Sequence, residues 1–447
     1  DRTGQVMAVD FFESTKNYNV IIIGPPGSGK SFFVNEIGLM SVAASQAVRL
    51  VDIGSSYKKI IKSVGGQFIQ FEEGRRLCLN FFTNIATKKV RLDDDSDKLH
   101  EIVHEEELTT IVPIIGNMLK MDLKSSHSEN SISEDDLKRK VIVTLIEEAV
   151  QVAFDRQQFA AGMQTVWDYL VELKDKYKND DQELIYKTLE LIIVGLHDYV
   201  KRDEGEGKIH IGKNFDYFNG VNNLEFESDY FCFEMEELMK KGEDLLEIVS
   251  MVVLHQMANE AFFRQDKRKV IGVDEAAILL KKPMFVSFLE ELSRRLRKYG
   301  GLLMIITQYI KDFFLNSSAE VMFEGASFKI FLPQEPESID EAADTGKLTM
   351  NAGQIALMKS VAPRDGYNEF LIKYGSSYTV GLLKVDSLSY WLYTTKPSDK
   401  EQILNMENTY GLLIGEGAWM MSLTSDGMSE EDALEHVLTR RSKSLDD

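Results

Sequence analysis

The stretch "NVIIIGPPGSGKSFFVNEI", residues 19–37, decides the fold. Val20 to Ile23 are apolar and β-branched, the composition of a buried strand. Gly24 to Ser31 match G-x-x-x-x-G-K-[ST], and "SFFVNEIGLMSVAASQ" after them reads as a helix. In a strand–loop–helix of this kind the backbone N–H groups converge at the helix start, where an anion binds readily. Pro25 and Pro26 carry no N–H, so the phosphate cradle falls to Gly27, Ser28, Gly29, Lys30 and Ser31. Lys30 is expected to reach the β- and γ-phosphates, and the Ser31 hydroxyl to bind Mg²⁺. The loop implies a nucleotide and leaves open what the nucleotide drives.

Working outward, "VRLVDIG" (48–54) reads as a second strand, so the start of the chain is a βαβ unit with a parallel sheet. From about 86 to 225 the texture becomes acidic and helical. Runs such as "KVIVTLIEEAVQVAF" and "QELIYKTLELIIVGLHDYV" carry apolar residues at three- and four-residue spacing. The acidic runs "RLDDDSDKLHEIVHEEELTT" and "SSHSENSISEDDLKRK" read as solvated loops or helix faces. Strand signals return with "YFCFEM", "KVIGVDEA", "LLMIITQ" and "SFKIFL", followed by a hairpin at 367–386 around Gly-Ser-Ser. The expected organisation is a parallel-rich α/β core over 1–85 and 226–395, an inserted all-α domain over 86–225, and a helical extension over 396–447.

A phosphate loop needs a carboxylate for Mg²⁺ at the end of a neighbouring strand. Asp52 ends "VRLVD" and Asp274 ends "KVIGVD". Asp274 is followed by Glu275, a second acid able to activate water, whereas Asp52 is followed by Ile53 and Gly54. Asp274 is therefore assigned to the metal, Glu275 to the water, and Asp52 to capping the turn before "SSYKKI". Gln308 ends "LLMIIT" on the same expected sheet edge and suits a γ-phosphate sensor. In "RRLRK", Arg294 and Arg295 follow Glu290 and Glu291 at pairing distance and read as surface pairs. Arg297 and Lys298 lack such acids, so they, with Arg364 in "APRDG", are the candidates for a finger reaching a neighbour's nucleotide; a solvated basic face is the competing reading.

"HEIVH" (100–104) matches the zincin pattern, with His100 and His104 as ligands and Glu101 as base. It is short, it lacks a spaced third histidine, and it runs into Glu105–Glu107, so protease chemistry is set aside. The formal net charge of −21 argues against a protein that coats nucleic acid. Cys78 and Cys232 belong to no C-x-x-C pair and read as reduced, buried thiols. No apolar run approaches the roughly 20 residues of a membrane helix. The first residue is Asp rather than Met, and a longer protein with an upstream portion is expected.

Taken together, "NYNVIIIGPPGSGKSFFVNEI", "VDIGSSYKKIIKSVGGQFIQF", "VDEA", "RRLRKYGG", "ITQ" and "YGSSYTVGLLKVDSLSYWLYTTKPSD" resemble the TraC-type ATPases of conjugative type IV secretion systems. The likeness covers most of the chain and is weakest over the helical insertion. The "GSSYKK", "GGQFI" and tail segments carry it more specifically than the glycine loop. It implies a RecA-like fold and Mg²⁺-dependent ATP hydrolysis at the cytoplasmic face of the bacterial inner membrane. It also implies a hexamer that works with other components of the apparatus and drives its assembly or the movement of substrate or pilin. One departure is Phe81 in "LNFFTNI", where the family pattern leads us to expect proline. The competing readings are a double-stranded DNA translocase of the same fold and a scaffold that binds nucleotide without turnover.

Overall fold

The computed structural model describes residues 1–71, 77–91, 99–123, 134–179 and 182–446. Its strands, in chain order, are β1 (Val20–Ile23), β2 (Ala47–Asp52), β3 (Gln67–Gln70), β4 (Thr87–Arg91), β5 (Leu99–Val103), β6 (Lys201–Asp203), β7 (Ile209–Ile211), β8 (Tyr230–Glu234), β9 (Lys269–Val273), β10 (Gly301–Thr307), β11 (Phe328–Phe331), β12 (Pro363–Arg364), β13 (Tyr367–Tyr374) and β14 (Ser377–Leu383). Ten of them form one sheet in the order β12-β13-β11-β1-β10-β9-β2-β8-β3, with β14 on β13.

From β11 to β3 every pairing is parallel; β12, β13 and β14 add an antiparallel flank. The central strands are buried along their whole length. This is why they read as continuous apolar runs rather than alternating ones. Val20 and Ile22 face one core, and Ile21 and Ile23 the other. β1 lies between β10 and β11, both far later in the chain, so the phosphate loop leaves the sheet at a point where the strand order switches.

Helices carry most of 86–225, and two antiparallel hairpins, β4–β5 and β6–β7, accompany them. These strands of three to five residues show little alternation among their charges, so the sequence pattern did not reveal them. Helices Glu134–Gln157, Met163–Lys176 and Glu183–Gly195 pack on one another, whereas Glu105–Met118 packs on Glu243–Phe263 and Pro283–Lys298 of the sheet layer. The acidic runs at 92–98 and 124–133 lie outside the described residues. Phe81 opens a 3₁₀ turn that Asn80 caps by accepting from Phe82 N, a first-turn position that suits proline as well. After β14, helices Ser387–Tyr393, Pro397–Tyr410, Glu416–Ser425 and Glu430–Asp446 bury small clusters of their own, among them Trp391 with Met421 and Leu412 with Met420. Both cysteines are free; Cys232 is buried, but Cys78 is only half-buried, contrary to expectation.

Arg295 is not a surface pair. It is 3% exposed, donates to Glu107 on the 105–118 helix, and donates to Asn259 Oδ1 at 2.8 Å. Asn259 in turn donates to Glu107 Oε2 at 2.8 Å, and His255 Nε2 lies 3.2 Å from the same oxygen. Burial works against the charged form of Glu107, but His255 and Arg295 outweigh it and hold the carboxyl down at about 2. The sequence spacing to Glu291 misled because Arg295 falls on the inward stripe with Leu292 and Leu296, whereas Arg294 does pair with Glu290 and Glu291.

Replacing Glu107 with Gln takes from the buried Arg295 its hydrogen-bonded counter-charge and leaves it only Glu106, 3.9 Å from Nε. Urea unfolding at neutral pH is expected to show a loss of roughly 3–5 kcal/mol. A carboxyl depressed on folding contributes its stability above the unfolded value of 4.5 and loses it as pH falls toward about 2. The gap between wild type and Glu107→Gln should therefore narrow over that window.

Candidate active site

Each charged piece of the site sits at the carboxyl end of a parallel strand. The glycine loop follows β1, Asp52 ends β2, Glu234 ends β8, Asp274 and Glu275 follow β9, and Gln308 follows β10. Gly27 and Gly29 take φ of 82° and 89°, left-handed values that L side chains resist, and they turn the loop into the helix Lys30–Ala43. A Cβ on Gly29 would also meet Asn368 Nδ2 at 2.7 Å.

The Lys30 ammonium lies between the two acids, 3.0 Å from Asp274 Oδ1 and 2.5 Å from Glu275 Oε1. Burial alone would push Lys30 down, but the two carboxylates outweigh it and raise its pKa. Gln308 Nε2 donates to Glu275 Oε2 at 2.8 Å. Lys30, Asp274, Glu275 and Gln308, expected from the sequence to share one edge, thus form one bonded group. Glu275 has φ of 51°, a conformation that costs of order 1–3 kcal/mol in a non-glycine residue and recurs at functional sites.

Asp52 accepts from Ser56 N at 2.8 Å, the turn-capping role expected of it. Burial, with the charges of Asp274 and Glu234 beside it, pushes its carboxyl well above the usual range. Tyr57, fully buried, donates its hydroxyl to Asp274 Oδ2. Nothing local to "GSSYKK" marks Tyr57 for this role, because its contact with Asp274 spans 217 residues.

The loop opens onto a cavity of about 540 Å³, within the range that holds small ligands. Ser31, Glu275 and Gln308 line it beside residues the sequence did not single out, including Tyr367, Asn368, Tyr390 and Lys396. No local signal marks these; the flank β12–β14 and the segment after it bring them in. The Ser28 hydroxyl is buried without a hydrogen-bond partner among the described residues. An orphaned donor within a glycine cradle, beside a lysine and two acids, fits a nucleotide phosphate with Mg²⁺. Ser31 and Asp274 are the residues that could hold the metal, which commonly takes one or two carboxylates plus phosphates.

The three basic candidates separate. Arg364 lines this cavity in its own chain, so it needs no neighbour to reach it. Arg297 donates to Thr15 O at 2.9 Å and Lys298 pairs with Glu106 at 2.5 Å, so neither is free. Both precede β10, at the edge of the sheet opposite Gln308, roughly 20 Å away across seven residues of strand. The "HEIVH" pattern falls on β5 and its exit, not on a helix. His104 caps the following helix by accepting from Glu106 N, and Glu101 bonds Thr87, so the two histidines do not converge. Among the described residues no group of three or more His, Cys, Asp or Glu is placed to hold a metal by itself, and no helix is long and apolar enough to cross a membrane.

A parallel α/β sheet with this loop at its switch point and acids on the adjoining strands defines a P-loop NTPase of RecA-like architecture. More narrowly, the sequence model for the TraG P-loop domain matches residues 2–423, and the chain belongs to that family. It is 23% identical over 439 residues to "Protein TraC" of Escherichia coli (strain K12), covering 95% of this chain and 45% of that protein. It is 24% identical to "Type IV secretion system protein virB4" of Bartonella quintana (strain Toulouse), over 43% of this chain and 24% of that protein. The chain therefore spans less than half the length of these relatives. Among solved structures, VirB4 of Thermoanaerobacter pseudethanolicus shares the fold with a TM-score of 0.58 at 19% identity, over 90% of this chain and 96% of that one. Plasmid coupling protein TrwB in complex with ADPNP gives 0.50 at 11% identity, over 82% and 85%.

The cis position of Arg364 makes a prediction. In protein too dilute to associate, Arg364→Ala should weaken binding of a fluorescent ATP analogue about tenfold, the scale of a lost hydrogen bond to a charged group. Lys298→Ala should leave it unchanged under the same conditions.

Proposed function

We propose that this chain is an ATPase motor that hydrolyses ATP with Mg²⁺ and powers a conjugative type IV secretion system, either its assembly or the movement of substrate or pilin through it. The observation that carries the hydrolytic reading is the bonded group Lys30–Asp274–Glu275–Gln308 over the glycine cradle. Gly27 to Ser31 bind the phosphates through their backbone N–H groups, and Lys30 leaves the acids to pair with the β- and γ-phosphates. Ser31 and Asp274 would hold Mg²⁺, which would supply the charge that offsets the negative charge of the transferred phosphoryl group. Glu275 accepts the proton of the attacking water, and Gln308, already on Glu275, orients that pair and senses the γ-phosphate.

The relatives' printed names, TraC, virB4 and conjugal transfer protein TrbE, support the secretion setting. On this reading the core is 1–85 with 226–395, 86–225 is an inserted domain, and 396–447 is a C-terminal extension. The chain works as a homo-oligomer, a hexamer, at the cytoplasmic face of the inner membrane beside other components of the apparatus. Arg297 and Lys298 would act only on a neighbour's nucleotide.

Glu275→Gln keeps the shape and the Gln308 contact but removes the base. It is expected to lower kcat by about 10²–10⁴-fold while ATP affinity holds. Turnover at the wild-type rate in this variant rejects Glu275 as the base. Double-stranded DNA should leave the rate unchanged; stimulation that falls steeply with salt would favour a DNA translocase instead.

A further inference from the structure

Four consecutive residues of the "GSSYKK" stretch hold three carboxylates from three adjacent strands. Gly54 N and Ser55 N donate to Glu234 of β8 at 3.1 and 2.6 Å. Ser56 N donates to Asp52 of β2 at 2.8 Å. Tyr57 donates its hydroxyl to Asp274, which follows β9. Tyr57 is wholly buried, so its ring cannot leave and its hydroxyl has a fixed place. Asp274 has two oxygens, and they are divided: Oδ2 takes Tyr57, while Oδ1 takes Lys30 at 3.0 Å and Glu275 N at 2.7 Å.

We propose that Tyr57 is a positioning residue for the metal carboxylate. It anchors Asp274 Oδ2 so that Oδ1 faces the glycine loop whether or not Lys30 is beside it. Lys30 can leave Asp274 for a phosphate, and the Tyr57 hydroxyl then keeps the carboxylate from rotating. Glu234 and Asp52, held by the same loop, fix the backbone from which Tyr57 projects. The inference rests on the assignment of Asp274 to Mg²⁺ and adds a residue outside the loop, the paired acids and Gln308.

The test uses Mn²⁺ as an EPR-visible substitute for Mg²⁺, titrated into the protein with ADP present. Tyr57→Phe removes one oxygen and keeps the ring, and thermal melting checks that the fold survives. Partners that orient a metal ligand are typically worth 10–100-fold in affinity. Tyr57→Phe is therefore expected to raise the Mn²⁺ Kd at least about tenfold, with metal-free ADP binding unchanged. Asp274→Asn should raise it at least as far. The double variant should be no weaker than Asp274→Asn alone, because the hydroxyl acts only through that carboxylate. This comparison also reads the effect in a background where the buried charge is gone, should the single variant fold poorly. Wild-type Mn²⁺ affinity in Tyr57→Phe, or additive losses in the double variant, overturns the role of Tyr57. Wild-type affinity in Asp274→Asn overturns the metal assignment itself.

Discussion

The Lys30 ammonium, wedged between Asp274 and Glu275, is the contact on which the rest of the site depends. Four carboxylates, those of Asp52, Glu234, Asp274 and Glu275, gather at neighbouring strand ends, and Lys30 is the cation that touches two of them. Like charges this close in a medium of low dielectric repel by several kcal/mol. Three devices relieve that repulsion. Lys30 neutralises one unit of charge; Asp52 is pushed toward its protonated form; Glu234 takes three backbone N–H groups, from Gly54, Ser55 and Glu236. On the proposed reading, a phosphate competes for Lys30, and the acids then require another cation. A divalent ion that arrives with the nucleotide meets that need, so one charge imbalance explains both the lysine's affinity for phosphate and the acids' affinity for metal.

The sheet makes this crowding possible. In a parallel sheet all carboxyl ends lie on one edge, so residues far apart in sequence arrive together without any local signal. β9 sits between β10 and β2, which sets Asp274 between Gln308 and Asp52. β1 lies one strand further on, which brings Lys30 across β10 to the acids. The left-handed backbone at Glu275 belongs to the same geometry: it turns the chain directly after Asp274 so that two successive side chains both meet Lys30.

What could be read from the sequence follows from this. The loop, the strands β1, β2 and β8 to β11, and the acids Asp274 and Glu275 were legible because each is signalled locally, by a contiguous apolar run or by residues at its end. β3 was not: as an edge strand it offers only Phe68 and Ile69 as apolar residues. Tyr57 carried no local signal, and Arg364, one of three candidates for a finger toward a neighbour, lines the cavity of its own chain; both depend on contacts with distant segments. Arg295 shows the converse error. A favourable local spacing to Glu291 suggested a surface pair, and the inward stripe of the helix overrode it.

The four basic residues of "RRLRK" take different partners, and two of them tie the helix that follows the acids to the 86–225 segment. Asp274 and Glu275 lead through a short turn, Ala277–Leu280, into the helix Pro283–Lys298. That helix, 16 residues long, spans roughly 24 Å and carries Arg295 near its far end. Arg295 is locked to Glu107 on Glu105–Met118, the first helix of the 86–225 segment, and Lys298 holds Glu106 beside it. A buried, hydrogen-bonded ion pair is rigid because separating it exposes an uncompensated charge. The helix and its ion pairs therefore join the acid-bearing end of β9 to the first helix of the 86–225 segment. On the proposed reading, a shift in the Asp274–Glu275 backbone when Lys30 changes partners would be passed along this helix to the 86–225 segment through Arg295 and Lys298.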